Sequence, residues 1–231
     1  MIAKILPWRA VSAEPIIALL PSLRWRATSG ASASTNAAAL ILYVTLIFVA
    51  ESQKSDGDTA VMYRSAPTYA ELETLTGLSR ALISAGLKRL VELELIECAG
   101  SRQSRVYLIS GSGKRWFKLP CMALFDGGRI GAFRQLTLRS KLDLHALKLY
   151  LYFASVRDNQ RMFSMASHET IHAKTGIPES DVRRAHSLLT SVGLLAAIER
   201  EFKGVIEKAN EPNKYYLRGC EAFFLSAAKA A

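Results

Sequence analysis

Residues 68–96 read TYAELETLTGLSRALISAGLKRLVELELI, and residues 167–195 follow the same pattern with SHETIHAKTGIPESDVRRAHSLLTSVGLL. A shift of 99 residues aligns the two stretches without a gap, with glycine on glycine and apolar residues on apolar residues. A pattern that recurs at a fixed period indicates a duplicated unit, here of about 100 residues. The matched pairs are Gly77 with Gly176, Leu78 with Ile177, Ile83 with Val182, Leu90 with Leu189, and Leu95-Ile96 with Leu194-Leu195.

Each stretch carries the signals of a short helix that ends in a tight turn. Thr68 and Ser167 can cap a helix, because their hydroxyl oxygens accept hydrogen bonds from the free amides of the first turn. Glu71 follows Thr68 at the spacing that a capping box requires. Gly77 and Gly176 are predicted to end these helices, since glycine tolerates the left-handed conformation of a sharp turn.

A second helix follows each of these turns. Ser79 is a capping residue for the first such helix, and Pro178 followed by Glu179 suits the first turn of its counterpart. Apolar residues recur at helical spacing on one face of the first such helix and predict that this face is buried. The residues of this face are Leu87, Leu90 and Leu93. A helix, a turn with glycine and a second helix form a helix-turn-helix.

A mostly apolar helix precedes each helix-turn-helix, and a strand–loop–strand pattern follows it. The two hairpin patterns lie within residues 95–109 and 194–217, each with a polar tip between apolar arms. Helix, helix-turn-helix and hairpin in this order resemble a winged-helix domain, over about residues 36–110 and 142–218. The resemblance implies a mainly α fold with small β-hairpin wings, built from two tandem winged-helix domains.

The positive charge is concentrated between the two units. The chain has 30 Lys and Arg against 20 Asp and Glu, a net charge of +10, and seven of these cations with one carboxylate lie between the units. A basic connector with interleaved aromatic residues can lie along DNA phosphates, or its apolar half can pack between the domains. We expect four segments: an N-terminal arm (1–35), a first winged-helix domain (36–112), a basic connector (113–141) and a second winged-helix domain (142–231).

The composition is that of a folded soluble protein, with 50% apolar and 22% charged residues. Three scattered cysteines without a CxxC spacing argue against a disulfide framework and against a thiolate zinc site. The longest apolar run, residues 37–50, is shorter than the roughly 20 residues that span a bilayer. The N-terminus lacks the unbroken apolar stretch of a signal peptide. We expect a cytoplasmic protein without a membrane partner and without a cofactor.

His168 to His172 match HExxH, the zinc-protease motif in which two histidines four residues apart bind the metal. The surrounding residues argue against such a site, since Thr175 and Pro178 stand where the longer metzincin pattern has glycine and histidine. The repeat also aligns this segment with the first helix of a helix-turn-helix. His186 is predicted to lie at the edge of the core. We therefore expect neither a bound metal nor enzymatic activity.

The winged-helix resemblance implies that the second helix of each helix-turn-helix enters the major groove of DNA and that the wing contacts the backbone. In the second unit we expect Arg184 to read a base and Arg183 to contact phosphate, with Asp181 beside them on the exposed face. The alternative is that these charges only form a solvated surface. The candidate DNA-binding residues are Ser79, Arg80, Ser84, Lys88 and Arg89 on the first helix, Ser180, Arg183, Arg184 and Ser187 on the second, Arg102, Arg105, Lys203 and Lys208 on the wings, and Lys114, Arg115 and Lys118 in the connector.

These features predict sequence-specific binding of double-stranded DNA, as in bacterial transcription regulators. Initiators of plasmid or mobile-element replication also resemble the chain in size, basic charge and paired winged helices. A third possibility is a structural winged-helix subunit of a chromosome-organising complex, which would bind a protein partner. The helix at residues 37–50 is apolar nearly all round, so we expect the N-terminal arm or a second subunit to cover it, giving a homodimer. The arm is then either a dimerisation arm or a strap across the first domain.

Overall fold

The computed structural model describes residues 6–25, 33–54, 61–101, 105–110, 115–199, 212–221 and 223. Helices make up about 50% of it and strands about 23%, so the fold is mixed α and β and not mainly α as predicted. Several of the additional strands pair across long separations in sequence, which local patterns do not reveal.

The first unit follows an N-terminal segment that holds β1 (Trp8–Ser12), α1 (Ala13–Leu19) and a 3-10 turn (Leu20–Ser22). The strands of this unit form an antiparallel sheet in the order β2-β3-β5-β4. Its elements are α2 (Thr35–Val49), β2 (Glu51–Lys54), β3 (Val61–Ser65), α3 (Tyr69–Thr76), α4 (Arg80–Glu92), β4 (Glu97–Gly100) and β5 (Arg105–Ser110).

The connector is built from small elements that pack on both sides. Its main strand pairs antiparallel with β1 to form a two-stranded ribbon, and its two shortest strands form a hairpin. These elements are β6 (Trp116–Pro120), a 3-10 turn (Met122–Leu124), β7 (Phe125–Asp126), β8 (Arg129–Ile130) and α5 (Gly131–Arg134). Phe117, Leu119 and Phe133 are buried, so the apolar half of the connector packs into the core.

The second unit repeats the element order of the first, except that β2 has no counterpart among the described residues. Its three strands form a sheet in the order β10-β11-β9, which matches β4-β5-β3 of the first unit. The predicted duplication is therefore present in the fold, and both predicted hairpins form. The elements are α6 (Lys141–Val156), β9 (Ser164–Ala166), α7 (His168–Thr175), α8 (Glu179–Ser191), β10 (Leu195–Glu199) and β11 (Asn213–Leu217).

The predicted ends of the first helix in each helix-turn-helix are confirmed. The Thr68 hydroxyl accepts a hydrogen bond from the Glu71 amide, and the Glu71 carboxylate accepts one from the Thr68 amide at 2.8 Å. The Ser167 hydroxyl caps α7 by accepting a hydrogen bond from the Thr170 amide. Gly77 and Gly176 end α3 and α7 with φ angles of 75° and 66°, in the left-handed region that glycine adopts without strain.

Helix α4 lies close to α2 because position 86 is glycine. A Cβ atom at Gly86 would lie 2.7 Å from Leu42 Cδ1 and 3.2 Å from the carbonyl carbon of Ala38. The apolar face predicted for α4 is buried at its first two leucines and half buried at the third. Tight packing between these two helices is what fixes α4 on the first unit.

Helices α2 and α6 form the centre of one continuous hydrophobic core. Every residue of α2 from Thr35 to Phe48 is buried, against α3, α4 and α6 of the same chain. The N-terminal segment also contacts α2, through Asn36 and Arg24, so the same chain covers this helix and no second subunit is needed. The expected homodimer therefore loses this argument. No helix among the described residues combines the length and the apolarity that crossing a membrane requires.

The N-terminal segment straps the two units together, where the sequence predicts a dimerisation arm or a strap on the first domain alone. Lys148 Nζ of α6 donates a hydrogen bond to the carbonyl oxygen of Leu23 at 3.2 Å. Asn36 Nδ2 of α2 donates to the carbonyl oxygen of Arg24 at 2.7 Å. Adjacent residues of the strap thus hold one helix from each unit.

Candidate nucleic-acid interface

Helix α8 exposes a continuous polar stripe. Its opposite side is apolar, with Val182, Ala185 and Leu189 fully buried. The exposed positions are three or four residues apart, so they lie side by side along the helix. They are Glu179, Ser180, Arg183, Arg184, Ser187, Thr190 and Ser191. All four candidate DNA-binding residues of the second unit are therefore on one surface.

The two arginines of this stripe keep their charge available. Among the described residues, neither Arg183 nor Arg184 forms an ion pair with a carboxylate. A guanidinium group without a carboxylate partner can donate its hydrogen bonds to a ligand. The stripe is suited to a phosphate or to the acceptor edge of a base.

Asp181 is buried, whereas the sequence places it on the exposed face of α8. It forms an ion pair with Lys141 of α6, with 2.6 Å between Nζ and Oδ2. His145 Nδ1, also on α6, lies 3.6 Å from the same oxygen, which is too long for a hydrogen bond. The hydrogen bond from Lys141 holds the pKa of Asp181 below its usual value. Its carboxylate is therefore charged at neutral pH and ties the start of α8 to α6.

The buried His145 makes stability sensitive to mild acid. Burial lowers the pKa of His145 to about 4, and the neighbouring Asp181 only partly opposes this, while Lys148 and Lys141 add to it. In the unfolded chain the same imidazole takes up a proton near pH 6.5. Between these values the unfolded state binds a proton that the folded state does not, so the free energy of unfolding falls as the pH is lowered from about 6.5 to about 4.

We expect His145→Gln to reduce the change in the free energy of unfolding between about pH 6.5 and about pH 4. The measurement is the free energy of unfolding from urea titrations at several pH values between 4 and 7. His172→Gln, which removes an imidazole from an exposed position of α7, is the matched control. A wild-type slope in the His145 variant, or its loss in the His172 variant instead, would contradict this assignment.

Helix α4 is a weaker candidate for DNA binding than α8, because its cations are paired with carboxylates of the same chain. Arg80 Nε lies 3.2 Å from Glu73 Oε2, and Lys88 Nζ lies 4.0 Å from Glu92 Oε1. Arg89 pairs with Glu92 at 3.1 Å and is half buried. Its Nε also donates to the side-chain oxygen of α2 residue 36 at 3.0 Å, so this candidate DNA contact has a structural role.

The two small candidate residues of α4 differ in what their hydroxyls do. Ser79 caps the helix by accepting a hydrogen bond from the Leu82 amide at 3.4 Å. Ser84 is exposed at the middle of α4, at the position equivalent to Arg183. The first unit therefore offers a short hydroxyl where the second offers a guanidinium group.

Equivalent grooves separate the second helix of each helix-turn-helix from its hairpin. The groove beside α4 has a volume of about 770 Å³ and the groove beside α8 about 480 Å³. Five lining positions correspond under the 99-residue shift, so the grooves are part of the repeat. The pairs are Ser84 with Arg183, Leu87 with His186, Lys88 with Ser187, Val91 with Thr190, and Glu92 with Ser191.

The remaining candidates lie on the hairpins and the connector. Arg105 is exposed on β5 and lines the first groove, and Arg115 is exposed before β6. Lys118 is half buried, with its Nζ over the Trp8 ring at 4.8 Å. Four candidates lie outside the described residues; they are Arg102, Lys114, Lys203 and Lys208.

The histidines of the HExxH segment face different neighbours. His172 Nδ1 lies 2.8 Å from the carbonyl oxygen of Ile177, whereas the His168 ring is 5.8 Å from the ring of His186. His186 itself is buried against the stacked rings of α6 and β11 and also lines the groove beside α8, which agrees with the predicted position at the edge of the core. The described residues contain no cluster of His, Cys, Asp and Glu that could hold a metal ion.

Comparisons of the chain with protein-family models, with characterised proteins and with solved structures found no match. The case for a function therefore depends on the repeated element order and on the side chains that it exposes. Of these, the stripe on α8 has the most specific chemistry.

Proposed function

We propose that the protein binds double-stranded DNA sequence-specifically, as a transcriptional regulator, with α8 as the reading helix. The observation that carries this proposal is the exposed stripe of α8, in which two arginines without carboxylate partners stand among serines. The major groove admits an α-helix, and a guanidinium group matches the O6 and N7 acceptors of guanine. The serine hydroxyls can donate to phosphates or bases on either side.

The fold supports the proposal if each unit is a winged-helix domain. Each unit has a helix, a strand, a helix-turn-helix and a hairpin, with the first strand added to the edge of the hairpin. In such domains the second helix of the helix-turn-helix enters DNA and the hairpin flanks it. The grooves beside α4 and α8 lie between these two parts.

A replication initiator is the second candidate, and the difference between α4 and α8 favours it. The cations of α4 are paired with Glu73 and Glu92, whereas Arg183 and Arg184 of α8 are not paired among the described residues. One unit would then read DNA while the other serves a different contact. This division of labour suits an initiator, in which one winged helix reads repeated sites.

Selection from a random pool of duplex DNA tests the proposal. At about 150 mM salt, where nonspecific phosphate binding is weakened, the wild-type protein should enrich one motif and give a discrete band with that motif in gel shifts. The double variant Arg183→Ala/Arg184→Ala should enrich none. The matched control Ser84→Ala/Lys88→Ala changes the exposed face of α4 and should enrich the wild-type motif.

Each failure has a distinct meaning. If the wild-type protein enriches no motif, the proposal is wrong and a protein-binding subunit of a chromosome-organising complex becomes the better hypothesis. If the α4 variant changes the motif and the α8 variant does not, the reading helix is α4. A regulator and an initiator differ in where the motif lies in the genome, in a promoter or as repeats at a replication origin.

A further inference from the structure

The ribbon formed by β1 and β6 has one buried face and one aromatic, basic face. Val11, Phe117 and Leu119 point into the core and are at most 1% exposed. The residues between them alternate to the outer face, as strand geometry requires. On that face Trp116 is 41% exposed and stacks on Trp8, with ring centroids 6.4 Å apart and planes 18° apart.

A series of ring and cation contacts fixes this outer face in place. Lys118 Nζ lies 4.8 Å from the centroid of the Trp8 ring and 5.8 Å from that of Phe223. Arg157 contacts the last ring of this series, with its Cζ 4.8 Å from the centroid of the Phe223 ring. A cation over an aromatic ring is attracted to the ring electrostatically, so these contacts stabilise the arrangement. Trp116 is thus the exposed end of a rigid stack that begins at a buried arginine.

We propose that the outer face of the β1–β6 ribbon binds single-stranded nucleic acid by stacking an unpaired base on Trp116. An exposed indole offers a π surface, and a base stacks on such a surface whatever its identity. A base in a duplex is already stacked between its neighbours, so this site distinguishes single strands from duplexes. The site is separate from α8, and the proposal does not depend on duplex reading.

The charge around the ribbon identifies the partner as an anion. Arg115 is exposed beside Trp116, and Lys118 lies within the stack. Other cations of the connector lie elsewhere, since Lys141 pairs with a carboxylate of α8 and Arg134 donates a hydrogen bond to a carbonyl oxygen of α3. Two cations beside an exposed indole suit the phosphates of a single strand better than an apolar protein partner.

Fluorescence anisotropy with two labelled oligomers tests the stacking. One is oligo-dT of about 15 nucleotides, near the upper end of single-strand site sizes, and the other is an abasic oligomer with the same number of phosphates. The wild-type protein should bind oligo-dT about tenfold more tightly than the abasic oligomer. Trp116→Ala should weaken oligo-dT binding by about tenfold, to the level of the abasic oligomer, and should leave abasic binding unchanged, because no charge is altered.

Two further variants separate stacking from a general effect on the fold. Trp116→Phe keeps a ring and should retain most of the preference for oligo-dT. Met122→Ala removes another exposed apolar side chain, 51% exposed and close to the end of β6, and should behave as wild type. Thermal unfolding of each variant checks that the ribbon still folds.

Three results would overturn the proposal. They are equal wild-type affinity for oligo-dT and the abasic oligomer, equal affinity of wild type and Trp116→Ala for oligo-dT, and equal weakening of single-stranded and duplex binding by Trp116→Ala. Failure of the duplex-reading proposal is measured separately, since Arg183→Ala/Arg184→Ala should lose motif enrichment and keep the preference for oligo-dT.

Discussion

Replacing Phe153 with alanine should lower the free energy of unfolding by about 3–5 kcal/mol. The Phe153 side chain is fully buried on α6. Its ring stacks on Tyr215 of β11 with centroids 4.1 Å apart, and it lies 5.7 Å from the ring of His186 on α8. One ring therefore joins the central helix of the second unit to α8 and to the sheet, and its removal leaves a cavity between all three.

Urea unfolding followed by circular dichroism measures this loss. The matched control is Val156→Ala on the same helix, because Val156 is 39% exposed and its truncation should change stability by no more than about 0.5 kcal/mol. A loss below about 1 kcal/mol for the Phe153 variant would show that the core of the second unit is not packed around this ring.

Arg184→Ala should weaken binding to the selected DNA motif by about 1–3 kcal/mol and relax the preference at one base pair. Successive residues of a helix are about 100° apart, so only one of Arg183 and Arg184 can point squarely into the groove. Arg184 aligns with Ala85, at the middle of the face that the repeat turns away from the core. Arg183→Ala should therefore weaken selected and random duplexes about equally.

Lysine variants separate the loss of charge from the loss of the planar group. Arg184→Lys keeps the charge and loses the bidentate fork, so it should still relax the preference at that base pair. Arg183→Lys should bind nearly as wild type, since a phosphate contact needs only the charge. The measurements are gel shifts on the motif and on its single-base variants. Unchanged affinity and motif in both alanine variants would exclude α8 as the reading helix.

The parts of the fold that the sequence predicts correctly are set by local chemistry. Thr68 and Glu71 have the spacing of a capping box, which satisfies the free amides at the start of a helix. Gly77 and Gly176 adopt the left-handed conformation that the tight turn after the helix needs. The 99-residue repeat then predicts which positions of α8 are buried from those of α4. The exposed stripe of α8 follows from the same alignment.

The parts that sequence reasoning misses are set by contacts between distant segments. Asp181 has the spacing of a surface residue, but it is buried against α6, where Lys141 pairs with it and His145 lies nearby. The pairing of β1 with β6 joins strands that are separated by the whole first unit. Neither strand has a local pattern that points to the other. The basic connector with interleaved aromatic residues is visible in the sequence, but its pairing with β1 and the exposure of Trp116 are not.

The direct packing of α2 on α6 has a consequence for how the protein would search DNA. Domains on a flexible linker bind one after the other, and the second faces an effective concentration that the linker sets. Here a shared core and the N-terminal strap remove that freedom, so α4 and α8 would arrive together at a fixed separation. Any two contacts that α4 and α8 made with one duplex would then have a fixed spacing along the DNA. A target with base pairs inserted or deleted between the two contact sites would bind poorly, even if every contacted base were unchanged.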